Sequence, residues 1–254
     1  MKLPVKKMAR AGIATAVILL GAGCGSPPPA APDIGASPWA EQSGARAGAW
    51  SHRSFPGKVA TDFRYARLEG RDVISVDANE SASMVRQVVR VEPQELGAVR
   101  FSWKVPQLIA QADMALRDRD DAPVRIVLAF EGDRSRFSAA DAALSELVHV
   151  VTGEPMPYAT LMYVWCNQRE PDSVIRSPRT ERVRKLVVET GARRLNQWLE
   201  YERDIRADYE RVFGEPPGAL VGIAIMSDSD NTKSHARAWY GPVRFKPASA
   251  RQAS

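Results

Sequence analysis

Two short acidic blocks carry the residue types with which this chain could do chemistry. In the first, Asp228-Ser-Asp-Asn-Thr232 follows directly on the apolar run 220–226, so Asp228 and Asp230 stand two apart at the end of a buried segment. Carboxylates so placed could act as nucleophile and acid/base partner, or could offer alternating oxygens to a hard cation such as Ca²⁺. For a structural Ca²⁺, Asp228, Asp230 and Asn231 would be joined by Asp120 and Asp121, at the entry to a second apolar run, 124–130. The block is not an EF-hand, since Lys233 occupies the position that needs glycine and no Glu closes the loop. The favoured expectation is structural: Asp and Asn side chains tie the turn to its backbone, Asn231 tolerates a left-handed conformation, and the acids pair with the many arginines. In the second block, Glu202-Arg-Asp204 lies near Trp198, and Glu202 with Asp204 could serve as acid and base on a glycosidic bond. The competing expectation makes Asp204 a helix N-cap and Arg203 a salt-bridge partner.

Aromatic residues offer a different chemistry, the stacking of sugar rings. Trp103 shares its alternation phase with Val99 and Phe101, and Trp165 with Leu161 and Tyr163, so both are expected in the core. Trp198, Trp239 and Tyr240 are the candidates for a ligand-binding surface. Other signatures are missing: there is no Gly-x-Ser-x-Gly elbow, no phosphate-binding Gly-rich loop and no His-Glu-x-x-His, and the three histidines are isolated. Asp-x-Asp-x-Thr at 228–232 resembles the nucleophile motif of haloacid-dehalogenase phosphatases. That resemblance implies a parallel α/β sheet and further motifs downstream, whereas only 22 residues follow Thr232.

The address of the chain is written in its first 24 residues. Lys2, Lys6, Lys7 and Arg10 precede an uncharged run, 11–22, that is too short to span a bilayer, and small residues lead to Gly23-Cys24. Residues 22–24 resemble a lipobox, with Gly21 where leucine is usual. The expectation is a lipoprotein signal peptide over 1–23, cleaved so that Cys24 is acylated with palmitate-like chains and anchors the protein to a membrane. Gly25 lacks the aspartate associated with inner-membrane retention, which favours the outer membrane of the cell envelope. The chain has 35 Lys and Arg against 30 Asp and Glu, and loss of the four leader cations leaves 31 against 30. So small a surplus argues against nucleic acid as a partner. With Cys24 acylated, Cys166 has no disulfide partner and is expected to be a small buried residue in a strand.

These groups must be positioned by a fold, and its period is mostly two. Val99, Phe101, Trp103 and Val105 alternate with Arg100, Ser102 and Lys104; Val85 and Val89 oppose Arg86 and Arg90; Ile74 and Val76 are in phase. The runs 124–130 and 220–226 are continuously apolar, as strands covered on both faces are. Segments 182–190, 196–201 and 235–245 supply further strands, the last driven toward an edge or a bulge by Pro242. Ser138-Ala-Ala-Asp141 resembles a capping box, followed by Leu144, Leu147, Val148 and Val151 at helical spacing. A second helix is expected over 203–213, ended by Gly214 and Pro216-Pro217. Residues 24–50, rich in Pro, Ala, Gly and Ser, read as a flexible tether; 51–246 as a single domain; and 247–254 as a disordered tail. Strands without regular helical crossovers predict a mainly β fold, a jelly-roll-like antiparallel sandwich with one or two short helical insertions.

The blocks Ser81-Ala-Ser-Met84, Trp103-Lys-Val105, Asp120-Asp-Ala-Pro-Val-Arg-Ile126, Tyr163-Val-Trp165, Phe213-Gly214, 223–232 and Ala238-Trp-Tyr-Gly241 occur here in a characteristic order. Together they resemble the bacterial family called domain of unknown function 3047, over about residues 50–245. Pro242 departs from an acid usual there. The resemblance implies exported, sandwich-like proteins and implies no particular activity. The function expected is that of a lipid-anchored envelope protein binding a ligand without catalysis, with a glycan first among the ligands. The alternatives are an envelope hydrolase or lyase working on carbohydrate through paired carboxylates, and an interaction protein that binds an envelope protein and no small ligand.

Overall fold

The computed structural model describes residues 33–44 and 49–248. The expected signal peptide, Cys24, residues 25–32 and 45–48 of the expected tether, and the tail from 249 lie outside the described residues. In chain order the strands are β1 (Ser51–Ser54), β2 (Asp62–Leu68), β3 (Arg71–Asn79), β4 (Ala82–Val91), β5 (Ala98–Lys104), β6 (Ala122–Phe130) and β7 (Ala159–Cys166). Then come β8 (Val174–Arg176), β9 (Val183–Thr190), β10 (Leu199–Asp204), β11 (Leu220–Asp228), β12 (His235–Tyr240) and β13 (Arg244–Lys246). The helices are α1 (Pro38–Gln42), α2 (Ala139–Thr152) and α3 (Ile205–Phe213).

The strands form two sheets, one of seven in the order β1-β4-β11-β6-β7-β9-β8, the other in the order β10-β5-β12-β3-β2 with β13 also on β5. All pairings are antiparallel except β7 with β9, which run parallel. The fold is therefore the mainly β, two-layer sandwich that the alternation predicts. Its core joins Val99, Phe101 and Trp103 of β5 and Ile74 and Val76 of β3 to Ile126 and Leu128 of β6, Leu161 and Tyr163 of β7, and Ile223 and Ile225 of β11. Phe101 stacks on Tyr163 across the interface with ring centroids 5.6 Å apart. A second cluster, with Met114, Ala122, Val164, Cys166, Ile175 and Val187, covers the other face of the seven-stranded sheet. It explains why β6 and β7 are apolar on both faces, and it places Cys166 as a free, buried residue of a strand.

Local rules account for the joints. Glu69 (φ 53°) and Gly70 (φ 77°) form the two-residue hairpin loop between β2 and β3, both in the left-handed region that matches strand twist. Asp204 accepts from Ala207 N at 2.9 Å and so caps α3, and Gly214 (φ 71°) ends it. Ser138 caps α2 through Asp141 N at 3.1 Å. The strand expected over 235–245 is broken at residues 241–243 into β12 and β13, both on β5, as Pro242 requires. Strand β10 begins at Leu199, three residues later than expected.

One expectation is corrected, and one helix runs against the usual rule that an apolar stripe faces the core. The flexible tether does not extend over 33–43: Ser37 caps α1, and Trp39 is fully buried against Trp50 with ring centroids 4.9 Å apart. Two indoles bury enough apolar area to order a segment whose composition alone reads as a linker. The apolar stripe of α2 does not face the core either. Leu147, Val150 and Val151 are 61%, 82% and 53% exposed, and the helix buries Asp141 and Ser145 instead. Of the expected tail, Pro247 and Ala248 are described, and Ala248 N donates to Glu95 O. No helix among the described residues is long and apolar enough to cross a membrane.

Candidate functional site

The acidic block at 228–232 is drawn into a buried charge knot. Strand β11 lies between β4 and β6, antiparallel to both, which is incompatible with the parallel sheet of the phosphatases whose motif it resembles. At its end Asp228 Oδ1 accepts from Arg125 Nε at 2.9 Å and Ala122 N at 3.0 Å, and Oδ2 accepts from Arg125 Nη2 at 2.9 Å. Arg125 Nη2 also donates to Asp120 Oδ1 at 3.1 Å, and Lys185 Nζ donates to Asp120 Oδ2 at 2.7 Å. Arg125, Lys185 and Asp228 are all buried. Burial pushes the Asp228 carboxyl up to about 7 against the pull of Arg125, and burial lowers the Lys185 ammonium to about 8.

Of the five residues expected around a cation, ligand oxygens of Asp121, Asp228 and Asp230 lie within 4.8 Å of one another. The donor set does not suit a hard cation, because protein donors already occupy it. Asp121 accepts from Asn231 N at 3.2 Å and from Thr232 N and Oγ1 at 2.7 and 2.6 Å. Asp230 is ion-paired with Lys58. Asn231 turns its amide to Arg117 O at 3.0 Å, and Lys233 (φ 49°), not Asn231, takes the left-handed conformation. Asp118, which also precedes the 124–130 run, is exposed and is not one of the three clustered carboxylates. Tyr240 belongs to the same knot and not to a ligand surface. It is fully buried, its hydroxyl donating to Met226 O at 2.6 Å and accepting from Arg125 N at 2.9 Å.

The outer face of the second sheet carries a groove of about 550 Å³. Register explains it. Arg100 and Ser102 of β5 point outward beside Glu202 and Glu200 of β10, their cross-strand partners. On the other side of β5, Trp239 pairs with Lys104. Next along that edge comes Gly241, which donates to Ser102 O at 3.0 Å and has no side chain; a Cβ there would collide with Ser102 Oγ. A glycine beside a serine thus leaves a trough in the middle of the face. Its rim consists of Arg71, Arg100, Glu200, Glu202 and Arg244, with Gln42 of α1 and Pro242 at one end.

Trp198 and Trp239 are half-buried and lie on this same outer face, on either side of Lys104. Trp198 Nε1 donates to Glu69 Oε2 at 2.8 Å, and the Arg71 guanidinium stacks 5.2 Å from the Trp198 ring. The Glu69 carboxyl, placed by its hairpin loop, is held below the usual range by the Lys104 ammonium. Arg71 pairs with Glu200 at 2.7 Å, and Arg100 pairs with Glu202. Arg244 faces Arg100 directly across β13 and β5 and, among the described residues, donates to the Gln42 oxygens, at 3.0 and 3.1 Å.

This arrangement can bind but is poorly made for acid/base catalysis. Glu202 is open to the groove, yet the Arg100 hydrogen bond holds its carboxyl below the usual range, the wrong direction for a proton donor. Asp204 is spent on the α3 cap, and Arg203 pairs with Asp208 at 2.7 Å and Asp172 at 3.0 Å. The sequence singles out Trp198 and Trp239 as ligand-surface candidates and Glu202 as a candidate catalytic carboxylate; it gives no sign that Gly241, Ser102, Arg71, Arg100 and Arg244 come together with them. Their convergence depends on the pairing of β12 and β13 with β5, which no local pattern reveals.

No curated protein matches the chain. Among solved structures, a similar one is the xyloglucanase domain of NopAA, a type three effector from Sinorhizobium fredii, in complex with cellobiose. It shares 8% identity at a TM-score of 0.39, over 78% of this chain and 98% of that one. The family model described as protein of unknown function (DUF3047) matches residues 48–244, which include β1 to β12 and the groove residues other than Gln42. The chain therefore belongs to the DUF3047 family.

Proposed function

We propose that this is a lipid-anchored envelope protein whose sandwich binds a glycan, without catalysis, in the groove of the outer sheet. The observation that carries the reading is the trough over Ser102 and Gly241, with two half-buried indoles beside it and a charged rim. Sugar rings offer apolar faces to indoles and a belt of hydroxyls to Arg, Glu and Gln side chains, and a volume of this size admits a few rings. Among the described residues Arg244 has no carboxylate partner and stands opposite Arg100, an arrangement that a ligand carboxylate would relieve. Acidic sugars are therefore the first class expected. The anchor rests on the leader and Cys24, which support export and acylation.

The test is a glycan array probed with the chain from residue 25 onward, which keeps Trp39 and Trp50 and so the whole core. Binding to uronic-acid glycans, weakened by salt, is expected. No binding to any glycan on the array refutes the reading. Labelled palmitate, incorporated into the parent and lost in Cys24→Ser, tests the anchor separately; equal labelling of both refutes it.

A further inference from the structure

Helix α2 is built inside out for a domain of this kind. A surface helix ordinarily turns its apolar stripe to the core. Here the inward stripe is polar. Asp141 accepts from Ser138 Oγ at 2.9 Å and is bonded by Thr180, while Ser145 accepts from Arg134 Nη1 at 3.4 Å. Those bonds hold the helix down by its polar side and leave Leu147, Val150 and Val151, spaced i, i+3, i+4, in solvent, with Leu144 and Val148 half-buried beside them. An exposed aliphatic stripe of this kind calls for an occupant.

The position of Asp33, where the described residues begin, indicates which. The described chain begins at Asp33, and the turn it opens packs on β1: a Cβ on Gly35 would lie 2.8 Å from Trp50 O. Three residues along that edge strand, about 10 Å, Arg53 reaches Glu154 at 3.5 Å, two residues past the end of α2. Arg86 grips the same carboxylate at 2.8 and 3.1 Å. The exposed stripe and Asp33, the first described residue, are thus neighbours along one sheet edge. Nine residues separate Cys24 from Asp33, a reach of at most about 30 Å. An acylated Cys24 would keep the membrane surface within that distance of Asp33, on the sheet edge that carries the stripe, and a tether so short makes even a weak second contact effectively intramolecular.

We infer that α2 is a second membrane contact, its Leu147–Val150–Val151 stripe lying against the lipid surface to which Cys24 is tethered. The choice of lipid as occupant rests on the anchoring proposed above; the stripe and its exposure do not. The helix would lie in the interface with its axis along the surface, fixing how the domain is presented and adding to the acyl chains the apolar burial that a single anchor point lacks.

The test uses the chain from residue 25, which carries no lipid, so palmitate labelling at Cys24 remains an independent readout. The chain is sedimented with excess vesicles of phosphatidylcholine and phosphatidylglycerol. Binding is expected, and Val150→Asp is expected to weaken it by about tenfold or more, from the loss of one buried valine and the cost of burying a charge. Because Val150 is exposed, the melting temperature of the variant should match the parent. Failure of the parent to bind vesicles, or equal binding by Val150→Asp, overturns the inference. A parent that is dimeric in light scattering and made monomeric by Val150→Asp also overturns it, since the stripe would then be covered by a second copy.

Discussion

Replacing Arg125 by methionine removes the cation around which the knot at the end of β11 is arranged. Asp228 would lose both of its bonds to Arg125 and keep only Ala122 N, while remaining buried at 5% exposure. Breaking a buried pair by deleting one partner costs about 3–5 kcal/mol. A domain of this size shifts by about 2–4 °C per kcal/mol, so the melting temperature should fall by about 6–20 °C. The loss should also depend on pH. In the folded parent burial raises the Asp228 carboxyl from its ordinary value of 3.8 to about 7, so the folded state holds its proton more tightly than the unfolded chain. This group's contribution to stability therefore falls as pH rises from about 4 to about 7 and is level above that. Without Arg125 the folded value moves higher and the falling window extends beyond 7. Scanning calorimetry should then show a larger gap between Arg125→Met and parent at pH about 8 than at pH about 6. A drop under about 3 °C, or a gap that is the same at both pH values, refutes the reasoning.

Other expectations follow from the same contacts. Asp204→Ala should cost about 1 kcal/mol, read as a fall of about 2–4 °C, through loss of the α3 cap; glycan binding should be unchanged, which a ligand-touching Asp204 would not allow. Gly241→Val should fill the trough against Ser102 and abolish glycan binding, at a stability cost of about 1–3 kcal/mol in thermal melts. Exchanging EDTA for millimolar calcium should leave the melting temperature unchanged, because Asp121, Asp228 and Asp230 are engaged by protein donors; a rise of about 5 °C or more would restore a cation site there.

Much of the scaffold is legible in the residues themselves. Alternation at Val99, Phe101 and Trp103 and the uninterrupted apolar runs of β6 and β11 report burial on one face or two, and the structure places them accordingly. The ends of α3 are legible because Asp204 and Gly214 act within a few residues. Helix α2 shows the limit of periodicity. A stripe at 3.6-residue spacing says that a helix has two faces, not which face meets the core, and Asp141 and Ser145 decide that through Thr180 and Arg134, residues distant in sequence or outside the helix. Trp39 was hidden by its neighbours, since a composition rich in small residues and proline outweighs one indole in any windowed reading. The groove is a property of register: Gly241 matters only because it lies beside Ser102, and Arg244 only because it faces Arg100.

The most direct test of the account is to titrate the best-bound acidic glycan into the ¹⁵N-labelled chain and follow the tryptophan indole N–H signals. Binding in the groove predicts that Trp198 and Trp239 shift while the fully buried Trp39, Trp50, Trp103 and Trp165 do not. Unmoved Trp198 and Trp239 signals at saturating glycan, or shifts centred on the 228–232 turn, would contradict it.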